Sequence, residues 1–71
     1  MRQVIIYHGE DDYWVVEAPS LPGCVSQGKT RQEALENIRE AIALYIEELR
    51  ANGEDVPGDY GPIGVETVSA A

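Results

Sequence analysis

Gly23-Cys24-Val25-Ser26-Gln27-Gly28-Lys29-Thr30-Arg31-Gln32-Glu33 admits two readings, and the choice between them decides the fold. Formally, Gly23 and Gly28-Lys29-Thr30 satisfy the spacing of a phosphate-binding loop. Such a loop needs a buried strand before it, a parallel nucleotide-binding sheet around it and a separate aspartate strand for magnesium. A chain of 71 residues has no room for that sheet. Residues 24–27 also read as a strand rather than as a glycine-rich cradle. In the second reading Pro22-Gly23 is a turn, 24–27 a short strand, and Thr30 with Glu33 a helix-capping box. The Thr30 hydroxyl accepts from the Glu33 amide while the Glu33 carboxylate reaches back. The stretch is then a strand-to-helix junction, and the phosphate-loop match is coincidental.

Downstream of Thr30, Leu35, Ile38, Ile42, Tyr45 and Leu49 recur at steps of three and four, one apolar stripe of a long helix. Ala34 and Ala41 widen the stripe with small side chains that allow close approach to a sheet. Glu36, Arg39, Glu40, Glu47 and Arg50 fall on the opposite face, with Glu36–Arg39 and Glu47–Arg50 spaced as i,i+3 pairs. Asn52-Gly53, followed by Pro57, ends the helix.

Upstream, residues 2–8 and 13–17 are rich in β-branched and aromatic side chains and read as strands. Gly9-Glu10-Asp11-Asp12 between them has the residue types of a hairpin loop. Alternation puts Val4, Ile6 and His8 on one face and Ile5 and Tyr7 on the other. It likewise sets Trp14 and Val16 against Tyr13 and Val15. Pro19 and Pro22 bar a central strand through 18–23, because proline lacks a backbone donor and restricts its predecessor. After the turn Gly58-Asp59-Tyr60-Gly61-Pro62, the run Ile63-Gly64-Val65-Glu66-Thr67-Val68 reads as a last strand. The expected fold is α+β, in the order βββ-α-β. A three-stranded antiparallel meander is joined by a last strand parallel to the first through a right-handed crossover, and one long helix covers one sheet face. The other face is expected to be solvated, paired with another subunit or occupied by a partner. Residues 1–71 read as a single domain.

A domain of this size buries only about 60% of the surface its unfolded chain exposes. Cys24 is the one cysteine, so no disulfide supplements the core. His8 and Cys24 are too few soft ligands for a structural zinc, and no metal or cofactor is expected. Self-association is the remaining device, and a homo-oligomer is the expectation. No apolar run approaches the length of a membrane span, and the N-terminal apolar run is too short for a signal peptide. The lone cysteine then points to the cytoplasm.

Thirteen acids against five bases give a net charge of −8. Affinity for nucleic acid comes largely from neutralising phosphates, so direct nucleic-acid binding is disfavoured. The acidity serves solubility, or it matches a basic protein partner. A metal-dependent ribonuclease is the weaker alternative. Glu10, Asp11, Asp12 and Glu17 cluster in the first hairpin and Glu36 and Glu40 lie on the helix, but the strand centres that would carry such a site are Val, Ile, Tyr and Trp. His8 has no nucleophile placed beside it, and Cys24 reads as a small buried hydrophobe. No catalytic residue is assigned. Trp14, with Tyr13 or Tyr7 on a half-covered sheet, suits cross-strand packing or an interface anchor equally.

Pro19-Ser20-Leu21-Pro22-Gly23-Cys24-Val25-Ser26-Gln27-Gly28-Lys29-Thr30 resembles the Pro-Asp-Leu-Pro-Gly-Cys…Gly-Asp-Thr stretch of the HicB antitoxin-like family. The likeness continues through Glu33-Ala34-Leu35, Asn37, Glu40-Ala41-Ile42, Tyr45, Leu49, Gly53 and Val56-Pro57. It departs at Ser20 and Lys29, where the family usually has aspartates. The resemblance implies a partial ribonuclease-H-like fold without nuclease residues. It also implies a protein that masks a HicA-type toxin, a small basic ribonuclease of messenger RNA. Many members carry a C-terminal DNA-binding domain, and nothing in these 71 residues reads as one, so operator binding is not expected of them. The residues expected to meet a basic partner are Glu10, Asp11 and Asp12, with Trp14 as anchor. Reversing the three loop charges is expected to weaken binding and its salt sensitivity. The alternative is an orphan module that self-associates and binds no toxin.

Overall fold

The computed structural model describes residues 1–70. Strands β1 (Ile5–His8), β2 (Trp14–Glu17) and β3 (Val25–Gly28) form one antiparallel sheet in the order β1-β2-β3, followed by helix α1 (Arg31–Ala51). Ile6 stands opposite Val16 and Val16 opposite Ser26, while His8 faces Trp14 and Trp14 faces Gly28. With a side-chain period of two, these residues share one face. That face carries the core: Val16 is fully buried, and Val4, Ile6 and Trp14 pack beside it. The opposite face holds Ile5, Tyr7, Val15, Glu17, Val25 and Gln27, and Tyr7 and Val25 are about half exposed there.

The loop from β2 to β3 is two successive turns. Leu21 N–H donates to Ala18 C=O (2.9 Å), then Cys24 N–H donates to Leu21 C=O (3.0 Å). Pro22 and Gly23 are the central residues of the second, and Gly23 has φ +80. This is the type II arrangement, which takes proline first and a left-handed glycine second. The two turns drive Leu21 inward until it is fully buried, with Ala18 and Cys24 beside it.

Helix α1 begins as the capping residues dictate. Glu33 N–H donates to Thr30 Oγ1 at 3.0 Å. The returning Glu33 carboxylate takes the amide of Lys29 (3.2 Å), one residue before the cap. At the far end Glu54 N–H bonds Leu49 C=O (2.8 Å), Gly53 N–H bonds Arg50 C=O (3.1 Å) and Gly53 has φ +69. These two bonds form a Schellman motif. Ala34 and Ile38 are the buried residues of the helix, and Leu35, Ala41, Ile42, Tyr45 and Ile46 pack partly against the core. The small Ala34 allows the close approach to the sheet expected of it, opposite Gly28. A 21-residue helix is roughly 30 Å long, whereas four-residue strands span roughly 13 Å. The helix therefore overhangs the sheet. Its distal half is fixed from the side, where Tyr45 Oη donates to Pro22 C=O at 2.8 Å.

The fourth strand does not form. Residues 54–70 carry no strand, and nothing runs parallel to β1 over 63–68. The reason lies in the residues that would start it. Pro62 has no donor and restricts Gly61, while Gly64 weakens pairing two residues later. Parallel pairing is also the less stable kind per residue. The first two strands are shorter than the expected 2–8 and 13–17, because the ladder stops at the hairpin turn on one side and, on the other, the Gln3 N–H bonds the Asp59 carboxylate (3.0 Å) instead of a strand.

Candidate protein-binding surface

Glu10, Asp11 and Asp12 form the tip of the first hairpin and are exposed. Tyr13 N–H closes the turn on Glu10 C=O (3.3 Å), and Gly9 N–H donates to Tyr13 C=O (2.8 Å). Asp11 and Asp12 both have φ +59. Two consecutive left-handed residues are the signature of a type I′ hairpin turn, and aspartate is among the few side chains that tolerate the position. Backbone geometry thus holds three consecutive carboxylates outward on a short, closed loop. Trp14 begins the strand that leaves this tip. It lies on the helix-facing side, half-buried, with its ring edge-on to His8 at 4.9 Å between centroids and 65° between planes. Tyr7 belongs to the opposite face, so Trp14 and Tyr7 do not form one cluster.

The acids weighed for a metal are not brought together. Among the described residues no three His, Cys, Asp or Glu side chains converge. The phosphate-loop pattern is stretched along β3, an extended strand that runs from Val25 to Gly28 itself. Gly28 is buried against the first turn of α1, where a Cβ would stand 2.5 Å from Ala34 N. It is there for packing, which leaves no cradle. Cys24 is buried and its thiol pKa is raised by burial, against the opposing pull of the Arg2 charge.

Two features escaped the reading of the sequence. The first is a polar clamp that ties the chain ends together. Arg2 Nη1 donates to Ser20 Oγ (2.9 Å), and Ser20 Oγ donates to Asp59 Oδ1 (3.2 Å). Asp59 Oδ2 accepts the Gln3 amide (3.0 Å), and Gln3 Nε2 donates to Tyr60 C=O and Gly61 C=O, both at 2.8 Å. The Gln3 amide above all, with Ser20 helping, holds the Asp59 carboxyl below its ordinary value. The Gln3 contacts span more than fifty residues of sequence, and no local pattern encodes them. The one signal was Ser20, a polar residue between two prolines, which is 96% buried.

The second is an open apolar groove of about 520 Å3 between the start of β1 and α1. Val4 lines one wall and Leu35, Ile38, Ile42 and Ile46 the other. Its charged lining residues are Arg2 and Arg39. Arg39, expected on the polar face beside Glu36, instead borders this groove, and Glu36 accepts from Gln32 Nε2 (3.3 Å). The groove exists because α1 lies over β3 and β2 and leaves the underside of β1 uncovered.

The family model described as HicB_like antitoxin of bacterial toxin-antitoxin system matches residues 3–70, nearly the whole chain. The chain belongs to the HicB-like antitoxin family. A UPF0150 protein of Thermoplasma acidophilum is 57% identical to it over 56 residues, 79% of this chain and 81% of that one. A UPF0150 protein of Archaeoglobus fulgidus is 46% identical over 65 residues, 92% and 87% of the two chains. The crystal structure of the N-terminal domain of the Burkholderia pseudomallei antitoxin HicB superposes with a TM-score of 0.73 at 32% identity, covering 83% of this chain and 69% of that one. As in sequence, so in backbone: the HicB-like domain here is the antiparallel meander with its helix. Among the described residues no helix is long and apolar enough to cross a membrane.

Proposed function

We propose that this HicB-like chain neutralises a small basic ribonuclease toxin of the HicA type by masking its surface, and that it acts as a homo-oligomer in the cytoplasm without catalysis of its own. The observation that carries the reading is the hairpin tip, where Glu10, Asp11 and Asp12 are exposed on a turn closed by its own backbone. Fixed carboxylates on a molecule of net charge −8 attract and orient a basic partner. Trp14, half-buried directly after the turn, offers an apolar edge next to the charge, the combination found at interface hot spots.

The test is an affinity pull-down of the tagged full chain from its native cells, with mass spectrometry of stoichiometric partners. Recovery of a small basic ribonuclease, inactive until this protein is removed, is the expected result. Recovery of the chain alone under gentle, low-salt conditions discards the toxin and favours the second reading, an orphan self-associating module. That reading draws its support from the half-exposed Tyr7 and Val25 on the uncovered sheet face.

A further inference from the structure

We propose that the groove between β1 and α1 receives residues 63–68 of a second copy of this chain, in a reciprocal exchange that builds a two-fold dimer. The inference gives the self-association proposed above a surface and an occupant, and it holds whether or not a toxin is bound.

Four observations carry it. β1 is an edge strand, so one row of its backbone groups has no strand partner, and the apolar groove adjoins that edge. Such an edge is a template for an added strand. Residues 63–68 alternate as a strand would, with Ile63, Val65 and Thr67 on one side, yet they form none. Val65 is 87% and Val68 80% exposed, so valines that would suit a sheet stand in water.

The third observation is position. The clamp on Gln3 holds Tyr60 and Gly61 beside the residue that leads into β1. Each tail therefore departs from the start of the edge that another tail would fill. Pro62 follows the clamp at once, and none of residues 63–68 pairs with β1 of its own chain. Two copies with their β1 edges facing across a two-fold axis put each tail beside the other copy's edge, a self-complementary arrangement. The fourth is charge. Two copies of −8 repel over most of their surfaces, but Arg2 and Arg39, two of the five basic residues, line this groove. It is where an acidic chain meets attraction.

The experiment is disulfide trapping in the full chain carrying Val4→Cys and Val65→Cys. Native Cys24 is buried and stays in place. Mild oxidation is expected to give a covalent species of doubled mass on non-reducing electrophoresis. A control carrying Gln27→Cys on the far edge strand with Val65→Cys is expected to stay at monomer mass. Monomer-sized product with both thiols consumed means that the tail folds onto its own groove, and overturns the exchange. So does the absence of any disulfide. Because Val65 is exposed in the single chain, Val65→Asp leaves the fold measurable: sedimentation should fall from dimer to monomer mass with an unchanged far-ultraviolet circular dichroism spectrum. An unchanged mass discards the proposal. Neither readout involves a toxin, so its failure is separate from failure of the antitoxin reading.

Discussion

Gly28 joins the two halves of the chain at the scale of one missing methyl group. A Cβ there would lie 2.5 Å from Ala34 N and 2.9 Å from Glu33 C, both backbone atoms of a capped helix turn that has little freedom to retreat. Gly28→Ala is therefore expected to destabilise the fold by about 1–3 kcal/mol, the usual range for overpacking, measured by urea unfolding. Gly23 is a useful contrast, since a Cβ there meets nothing within 4 Å but φ is +80. Gly23→Ala is expected to cost roughly 1–2 kcal/mol through backbone conformation alone. A neutral Gly28→Ala would overturn the close packing of β3 on α1. Asp59 sets a different residue-scale limit, on pH. Its carboxyl is held below the ordinary value, first by the Gln3 amide, so the clamp is stabilising above the unfolded aspartate pKa of about 4. That contribution is lost as pH falls through the lower folded value. The Gln3 amide resonance should report it, moving in acid with a midpoint below about 4, and Asp59→Ala should abolish the titration. A midpoint at or above the ordinary value would remove the clamp.

At the scale of elements, the caps decide where α1 begins and ends. Thr30→Ala removes the acceptor for Glu33 N–H, and the expected loss is about 1 kcal/mol by denaturant midpoint at constant slope. The helix and hairpin were legible because their signals are local: Thr30 with Glu33, Asn52-Gly53, the steps of three and four between, and Gly9 to Asp12 flanked by alternating strands. The last strand was misread for the complementary reason. Ile63 to Val68 has the alternation of a strand, but a strand exists only when an edge accepts it, and that edge lies sixty residues away. The distant clamp of Arg2, Gln3, Ser20 and Asp59 was illegible on the same ground. Alternation did sort the faces: Ile6 and His8 against Ile5 and Tyr7, and Trp14 and Val16 against Val15. The face that the helix takes is fixed by long-range packing, Gly28 against Ala34 and Val16 in one core with Ile38, which no local pattern encodes.

At the scale of the whole molecule, the acidic hairpin tip and the apolar groove are different surfaces. The acids dominate the hairpin tip and the exposed face of α1, while uncovered apolar area lies on the open sheet face, in the groove beside β1, and at Leu44, Tyr60, Val65 and Val68. A basic toxin and a second copy can therefore use different surfaces, and one need not displace the other. The tip is the part whose removal should be visible in rates. Glu10→Gln, Asp11→Asn and Asp12→Asn together cancel three charges, and asparagine still tolerates the left-handed backbone of the turn, which lysine would strain. Against the toxin recovered with the wild-type chain, the triple variant is expected to associate at least about tenfold more slowly at low salt. Its association rate should also depend less steeply on ionic strength, because fewer charges steer the encounter. Stopped-flow mixing over a salt series measures both, and thermal unfolding of the variant alone checks that the hairpin survives. Equal rates and equal salt slopes would move the toxin contact away from the tip and toward the open sheet face, where Tyr7 and Val25 are the exposed anchors.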